Sequence, residues 1–352
     1  MNEALARRAA HGIYGYSDAA GPDYFDAVAG WYARRFGWTP QPRWLIKTPG
    51  VVYAICAAIR TYTRPGDAVL IQPPVYYPFS AAVLDNDREL VLNQLVCADG
   101  RYGVDLEDFE RKIAERGVKL FILCSPHNPV GRVWTRAELT AMGKICLRHG
   151  VLVVSDEIHA DFVYPGHAHL VFAGLSPALA DITVTCTAPS KTFNLAGLQI
   201  SNIFISNPEL RKRFIKEMDR TGYSQPNLMG LLASREAYLH GEDWLEGLKA
   251  HLLSNLALVR QFLAARLPAV KLVEPEGTYL VWLDCRGLGL SDEELGRLIV
   301  HKAGLWLDEG AMFGVGGEGF QRINIACPRP VLEEALERLG RALAGNGPEA
   351  SV

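Results

Sequence analysis

Short apolar runs alternate with amphipathic segments along most of this chain, and no other feature limits its possible folds as strongly. Four of these runs are rich in Val, Ile, Leu and Phe, as is typical of strands buried on both faces: 68–71, 120–124, 151–154 and 202–205. Strands that alternate with helices pair in parallel, so we predict an α/β protein with a mostly parallel sheet flanked by helices. Functional groups in such folds lie at the carboxyl ends of the strands.

Polar residues mark the start of several predicted helices. Thr135 and Glu138 form a capping-box pattern. Asn207 and Pro208 place an N-cap and a first-turn proline before another helix. Ser291 repeats the capping-box pattern further along the chain. These signals support the alternation of strands and helices.

The pattern changes near residues 265–270. A long helical stretch, 244–267, ends before Pro268. Beyond it, 278–283 alternates as a half-exposed strand should, and 322–326 resembles a second strand. A cleft between the two domains is the expected substrate site. We therefore predict three segments: a short N-terminal segment 1–20, a large domain 21–267 and a small C-terminal α+β domain 268–352.

Composition narrows the range of partners and compartments. The formal net charge of −3, without a long Lys/Arg run, argues against a nucleic-acid or membrane-surface partner. No apolar stretch reaches the roughly 18–20 residues of a membrane span, and the first residues lack the apolar core of a secretory signal. The seven cysteines include no CxxC pair and several fall inside apolar runs, which favours free thiols in a reducing compartment. The cytoplasm is the expected location.

Three polar residues that follow predicted strands have complementary chemistry. Lys191 comes after the apolar run 181–186, Asp156 follows the next strand upstream, and Asn128 begins an Asn-Pro-Val-Gly turn after another strand. An amine that can form a Schiff base, a buried carboxylate beside a pyridine nitrogen and an amide donor are the groups that pyridoxal 5′-phosphate requires. His159, three residues after Asp156, could approach the same ring or its 3-oxygen.

Each of these residues also has an ordinary structural explanation. Asp156 could cap a turn, Asn128 could belong to a simple Asn-Pro turn, and His159 could be a turn histidine that faces solvent. Lys191 could be a solvated surface charge. The cofactor interpretation therefore depends on the combination of these residues, because one site needs all of these groups together.

A cofactor phosphate needs backbone N–H groups, which the first turn of a helix presents. Gly50, Val51 and Val52 open a helical stretch and are the predicted donors. The hydroxyls of Thr187 and Ser190, which lie close in sequence to the cofactor lysine, could add further donors.

An aromatic side chain is also expected against the cofactor ring. Tyr76 and Tyr77 directly follow the strand at 68–71 and its proline turn. We favour Tyr76 for stacking, although aromatic residues after a strand often belong to the core.

Longer motifs resemble a known family. They are Cys-Ser-Pro-His-Asn-Pro-Val-Gly-Arg-Val-Trp at 124–134, Ser-Asp-Glu-Ile-His at 155–159, Ala-Pro-Ser-Lys-Thr-Phe-Asn at 188–194, Pro-Val-Tyr-Tyr at 74–77 and Gly-Ile-Tyr-Gly-Tyr-Ser at 12–17. The chain resembles fold-type I pyridoxal-phosphate enzymes of the class I/II aminotransferase superfamily, and within them the cystathionine β-lyase branch of the MalY/PatB type. His127 and His159 discriminate this branch, since typical aminotransferases lack the first histidine and usually carry tyrosine at the second.

The resemblance implies an aspartate-aminotransferase-like fold and further site residues. Lys191 is implied as the residue that binds the cofactor and shuttles the proton, and Arg322 as the group that binds the substrate α-carboxylate, with Asn128 as a second substrate-binding residue. Bidentate pairing suits arginine to that role. Tyr16 is implied to reach across a dimer interface to the partner's cofactor phosphate, which makes the expected assembly a homodimer with shared active sites. Family members usually carry a further segment before the Gly-Tyr-Ser motif, so we expect a shortened form with altered substrate affinity and rate.

Three functions remain open from the sequence. The resemblance favours a carbon–sulfur β-lyase that cleaves L-cystathionine or cysteine S-conjugates to a thiol, pyruvate and ammonia. An aminotransferase would use the same residues, with Lys191 returning the proton to the cofactor carbon. The third possibility is a regulatory protein that keeps the cofactor-binding fold and acts through a protein partner.

Overall fold

The computed structural model describes residues 1–17 and 21–344. The ends of two predicted segments, 18–20 and 345–352, lie outside the described residues. The helices are α1 (Asn2–His11), α2 (Pro22–Phe36), α3 (Val51–Tyr62), α4 (Pro78–Leu84), α5 (Leu106–Arg116), α6 (Arg136–His149), α7 (Pro177–Asp181), α8 (Pro189–Thr192), α9 (Pro208–Arg220), α10 (Leu228–His240), α11 (Glu242–Arg266), α12 (Asp292–Arg297) and α13 (Arg329–Leu343). The strands are β1 (Leu45–Thr48), β2 (Ala68–Ile71), β3 (Glu89–Leu92), β4 (Val96–Ala98), β5 (Arg101–Gly103), β6 (Leu120–Cys124), β7 (Leu152–Asp156), β8 (Thr183–Thr187), β9 (Ser201–Ile205), β10 (Lys271–Val273), β11 (Leu280–Asp284), β12 (Asp308–Glu309) and β13 (Phe320–Asn324).

A seven-stranded sheet in the order β1-β9-β8-β7-β6-β2-β3 forms the centre of the larger part of the molecule. The strands from β8 to β3 pair in parallel, whereas β9 runs antiparallel to both of its neighbours. The reversal arises because the chain after β8 turns through α8 at the carboxyl edge and re-enters the sheet from that same edge. The predicted mostly parallel sheet is confirmed.

Helices cover both faces of this sheet, which explains its continuous apolar strands. Along β6, Ile122 packs in a core with α3, α4 and α9, whereas Phe121 and Leu123 pack in a second core with α5, α6 and α7. Successive side chains of a strand point to opposite faces, so each face of β6 needs apolar residues.

The predicted helix starts are also present in the structure. Capping boxes at Thr135 and Ser291 begin α6 and α12, with both reciprocal hydrogen bonds formed. At the start of α9, Asn207 Oδ1 accepts hydrogen bonds from the backbone N–H groups of Glu209 and Leu210.

A second, antiparallel sheet has the order β10-β11-β13-β12. The expectation of a half-exposed strand at 278–283 is wrong, because β11 begins at Leu280 and its first four residues are buried. Val281 and Leu283 pack in one core with α11 and α13, while the Trp282 ring stacks on Phe320 at 5.0 Å on the other side. Both faces of the strand are therefore covered.

The two sheets are joined by contacts close to the Asn-Pro-Val-Gly turn. The carbonyl of Gly131 accepts hydrogen bonds from the N–H groups of Glu276 and Gly277, at 2.8 and 3.0 Å. Gly131 has a φ of +70°, and a Cβ atom there would lie 2.8 Å from Cβ of Pro275, so only glycine fits this close approach. Arg132 adds a buried ion pair with Glu276. In the described ranges, no helix is long and apolar enough to span a membrane.

Candidate active site

A cavity of about 360 Å³ lies where the carboxyl ends of β6, β7 and β8 meet the second sheet. Cys124 and Asp156, at the ends of β6 and β7, lie on its wall together with Lys191. Arg322 of β13 completes the opposite side. Parallel strands bring their carboxyl ends to one edge of a sheet, which is why residues far apart in sequence converge here.

Lys191 lies on the single turn of α8, directly beyond β8. Pro189 at the start of α8 fixes the turn, since proline is suited to the first helical position. The neighbouring Thr192 is buried, and its hydroxyl donates a hydrogen bond of 2.7 Å to Oδ2 of Asp161. The turn that carries the lysine is thus held to the loop that follows β7.

Asp156 is buried at the end of β7. Burial raises the pKa of its carboxyl to about 7, although the N–H of Ile158 and the charge of Lys191 oppose this shift. A buried carboxylate is stabilised by a cationic partner. A protonated pyridine nitrogen placed here would be such a partner.

His159 is buried on the cavity wall, and its Nδ1 atom has no hydrogen-bond partner among the described residues. Its ring packs edge-on against Tyr279 with a centroid distance of 5.5 Å. Burial, with the charges of Lys191 and Arg322, lowers the pKa of His159 to about 3. The imidazole is therefore neutral at physiological pH and offers the cavity an uncharged polar group.

Arg322 is held by two side chains that line the same cavity. Its Nη1 donates to Oδ1 of Asn128 at 2.8 Å, while Nε and Nη2 donate to Oδ2 of Asp308 at 3.0 and 2.6 Å. Because a guanidinium has donors only, the oxygen of Asn128 faces Arg322 and its NH₂ group is left to donate elsewhere. This orientation agrees with the predicted donor role of Asn128.

The first turn of α3 forms another part of the wall. Gly50 is the N-cap residue of α3, and Val51 and Val52 follow it along the cavity. A Cβ atom at Gly50 would meet nothing within 4 Å, so the approach to these N–H groups is open. Free amides at a helix start bind phosphate readily. Ser190 also lines the cavity, as expected.

Two residues predicted for the site, Thr187 and Tyr16, do not line this cavity. Thr187 is fully buried, and its hydroxyl donates to the carbonyl of Asn202 at 2.8 Å, so it is not brought to the cavity. As part of β8 it points into the protein rather than beyond the strand end. Tyr16 is 95 % exposed and does not line the cavity, so its predicted contact with a partner subunit stays a prediction.

The sequence prediction favours Tyr76 over Tyr77, but the structure places both tyrosines on the cavity wall. Tyr76 and Tyr77 both line the cavity, with ring centroids 5.5 Å apart. Burial, followed by the nearby charge of Asp156, raises the pKa of Tyr76. A stacking role for Tyr76 stays a prediction.

His127, one of the discriminating positions, lies next to the site and not in it. Its Nε2 is 3.0 Å from the carbonyl of Pro74, and its ring packs edge-on against Trp134. Burial lowers the pKa of His127 to about 4, so the neutral ring donates this hydrogen bond. His127 thereby ties the Asn128 turn to the segment that carries Tyr76.

Sequence reasoning missed Asp308 and did not assign Tyr279 to the site. Asp308 belongs to a strand of two residues, which is too short for a periodic signal, and it meets Arg322 only through the register of β12 with β13. Tyr279 immediately precedes β11 and reaches the cavity beside His159.

The residues present fit pyridoxal 5′-phosphate. Lys191 supplies the amine, Asp156 a buried carboxylate for the ring nitrogen, the start of α3 an anion site, and Arg322 a site for a carboxylate. His159 adds a neutral polar side chain to the same wall.

Comparisons with known proteins agree with this chemistry. The family model of aminotransferases of class I and II matches residues 1–339. Cystathionine beta-lyase PatB of Bacillus subtilis is 45% identical over 346 residues, which cover 98% of this chain and 89% of PatB. Cystalysin from Treponema denticola, whose crystal structure contains pyridoxal 5′-phosphate, aligns with a TM-score of 0.95 and 40% identity over 97% of this chain and 86% of cystalysin. A pyridoxal-phosphate-bound putative aminotransferase from Clostridium difficile aligns with a TM-score of 0.95 and 43% identity over 97% of this chain and 88% of its own.

Proposed function

Since this chain belongs to the class I and II aminotransferase family, whose members include pyridoxal-phosphate enzymes, we propose that it is a carbon–sulfur β-lyase. Its substrates are L-cystathionine or other cysteine thioethers, which it cleaves to a thiol, pyruvate and ammonia. The observation that carries the proposal is the convergence of Lys191, Asp156 and Arg322 in one cavity, which supports pyridoxal-phosphate chemistry on an α-amino acid. The name of PatB, a cystathionine β-lyase, supports this reaction within the family.

Arg322 binds and orients the substrate. Its guanidinium pairs with the α-carboxylate, and the hydrogen bond to Asn128 fixes its direction. Tyr76, Tyr77 and Tyr279 add aromatic surface to the wall of the same cavity.

Lys191 and Asp156 control the protons of the reaction. When bound, pyridoxal phosphate supplies an electron-accepting ring that stabilises negative charge at the substrate α-carbon. Asp156 would hold a proton on the ring nitrogen, because a buried carboxylate is stabilised by a cationic partner. The free Nζ of Lys191 removes the α-proton as a general base. The protonated Nζ of Lys191 can then return that proton to the departing sulfur, so the β-substituent leaves as a thiol, and one water molecule completes the conversion of the three-carbon remainder to pyruvate and ammonia.

His159 has a different part in this reaction. Its pKa of about 3 leaves it without a proton to give as an imidazolium at neutral pH. It acts instead as a neutral hydrogen-bonding group on the wall of the cavity, where Tyr279 fixes its ring.

An aminotransferase is the second candidate, favoured by the name of the Clostridium difficile structure. Transamination consumes a 2-oxo acid, whereas β-elimination does not. Pyruvate release from L-cystathionine by the cofactor-loaded protein, with no 2-oxo acid added, therefore separates the two. Steady release supports the lyase, and product formation only after a 2-oxo acid is added supports the aminotransferase.

A homodimer is part of the proposal. Ile13, Tyr14 and Tyr16 form an exposed run of large side chains, and Val52 and Tyr77 are exposed at the cavity. A second copy of the chain would cover such surface, with Tyr16 directed at the partner's phosphate site as the family resemblance implies. We place the protein in the cytoplasm, a location supported by its free cysteines, of which four are buried.

A further inference from the structure

Asp308 is an acidic residue of the cavity wall that the reaction described above does not use. We propose that Asp308 determines substrate specificity by binding a positively charged group at the distal end of the thioether side chain. This inference rests on the proposed β-lyase function and extends it to the substrate class, which is thioethers that carry a distal amine.

The contacts of Arg322 leave room for both Asp308 and a substrate. A guanidinium has five N–H donors. Asp308 takes two of them through Nε and Nη2, and Asn128 takes one through Nη1. Two N–H groups remain, one on each terminal nitrogen, and these can pair with an α-carboxylate. Asp308 therefore need not leave Arg322 when a substrate binds.

Asp308 also keeps one oxygen free. Both hydrogen bonds from Arg322 go to Oδ2, and Oδ1 accepts none from the residues that the structure describes. The side chain of Asp308 is 36 % exposed, compared with 12 % for Arg322. Oδ1 is thus an acceptor within the cavity that a ligand can approach.

The other charges of the cavity are already committed to the reaction. Of the charged side chains on its described wall, Lys191 and Asp156 serve the cofactor and Arg322 serves the α-carboxylate. Asp308 is the one charged side chain of this described wall to which the reaction assigns no role. A distal ammonium group gains a charge-assisted hydrogen bond there, whereas a distal carboxylate meets a like charge and an uncharged alkyl group gains nothing.

The test compares cysteine thioethers that differ only in their distal group: S-(2-aminoethyl)-L-cysteine, S-ethyl-L-cysteine and S-carboxymethyl-L-cysteine. Asp308→Asn keeps the shape of the side chain and an oxygen for Arg322, and it removes the charge. We expect kcat/KM for the aminoethyl substrate, relative to the ethyl substrate, to fall about tenfold. The same ratio for the carboxymethyl substrate should rise.

Glu309→Gln is the matched control, because Glu309 is the next residue of the same strand and does not line the cavity. Its substrate ratios should match those of the unmodified protein. Unchanged ratios in Asp308→Asn would overturn the role of Asp308. Failure of the unmodified protein to release pyruvate from any of these thioethers would instead overturn the β-lyase function.

A binding measurement covers the case in which Asp308→Asn turns over no substrate. L-Lysine and L-norleucine have the shapes of the aminoethyl and ethyl substrates with carbon in place of sulfur, so they lack the leaving group. Calorimetry on the cofactor-loaded protein should show tighter binding of lysine than of norleucine, and Asp308→Asn should abolish that preference. Equal preference in both proteins would contradict the proposal.

Discussion

The hydroxyl of Thr192 donates a hydrogen bond of 2.7 Å to Oδ2 of Asp161, and this bond joins the two segments that carry Lys191 and His159 in the candidate active site. Thr192 follows Lys191 on α8, and Asp161 lies on the loop that follows Asp156 and also carries His159. Asp161 is buried and also accepts from Nε1 of Trp31 at 3.1 Å. Because Asp161 accepts both hydrogen bonds inside the protein, it fixes the turn that carries Lys191 relative to the end of β7, where Asp156 lies.

Thr192→Val should therefore weaken both stability and catalysis. The variant keeps the side-chain shape but leaves the Asp161 carboxylate short of a donor, which costs about 1–3 kcal/mol in the free energy of unfolding. We also expect kcat to fall, since Lys191 loses its fixed position. Urea unfolding and steady-state kinetics measure the two effects.

Thr185→Val is the control for that change. Thr185 is a buried threonine of β8 whose hydroxyl has no hydrogen-bond partner among the described residues. Its replacement should leave the free energy of unfolding unchanged or raise it. Equal losses of stability in the two variants would show that the bond between Thr192 and Asp161 has no special role.

Lys191→Ala should abolish turnover while leaving the fold intact. Loss of a positioned general base alone slows a reaction by about 10²–10⁴-fold, and here the covalent link to the cofactor is lost as well. The cofactor absorbance should shift, and dialysis should remove the cofactor. Lys212→Ala, which removes an exposed lysine on α9, should change neither property. Turnover near the original rate in Lys191→Ala would remove the basis of the mechanism.

Arg322→Lys should raise KM far more than it lowers kcat. Lysine keeps the charge but cannot pair with a carboxylate through two parallel hydrogen bonds. We expect KM for L-cystathionine to rise about tenfold or more, with the cofactor absorbance unchanged. Arg286→Lys, at an exposed pair with Asp284, is the control outside the cavity. A KM that does not respond would place the α-carboxylate elsewhere.

The stability of the cofactor-free protein should depend on pH through Asp156. Its pKa is about 7 in the folded protein, compared with 3.8 for an unperturbed aspartate. Between these values the folded state holds a proton that the unfolded state has lost, so stability falls as pH rises from about 4 to about 7. Asp156→Asn removes this loss because its side chain does not ionise.

Thermal unfolding of both cofactor-free proteins at several pH values tests this dependence. The Tm of Asp156→Asn, relative to that of the original protein, should increase as pH rises from 5 to 8. A difference in Tm that stays constant over this range would mean that the carboxyl of Asp156 is ionised throughout.

Much of the fold was predictable because local signals agree with the tertiary structure. Leu120 to Cys124 is apolar at every position since helices cover both faces, and Thr135 begins α6 through its own hydrogen bonds. The prediction of a half-exposed strand at 278–283 is wrong, because alternation in the sequence does not show which elements pack against each face of a strand. In the structure, both faces of β11 are packed.

The site was predictable where residues follow strand ends and less so elsewhere. Lys191 and Asp156 could be located because parallel strands end at one edge of the sheet. Thr187, predicted on the same basis, is still part of its strand and points into the protein. Asp308 could not be found from the sequence, since its contact with Arg322 depends on the pairing of β12 with β13.

The most direct test of the central claim is the product balance of L-cystathionine cleavage by the cofactor-loaded protein without an added 2-oxo acid. Thiol, pyruvate and ammonia should appear in equal amounts over many turnovers, and Lys191→Ala should form none of them. A reaction that stops after one turnover, and resumes only when a 2-oxo acid is supplied, would contradict the β-lyase and identify the protein as an aminotransferase.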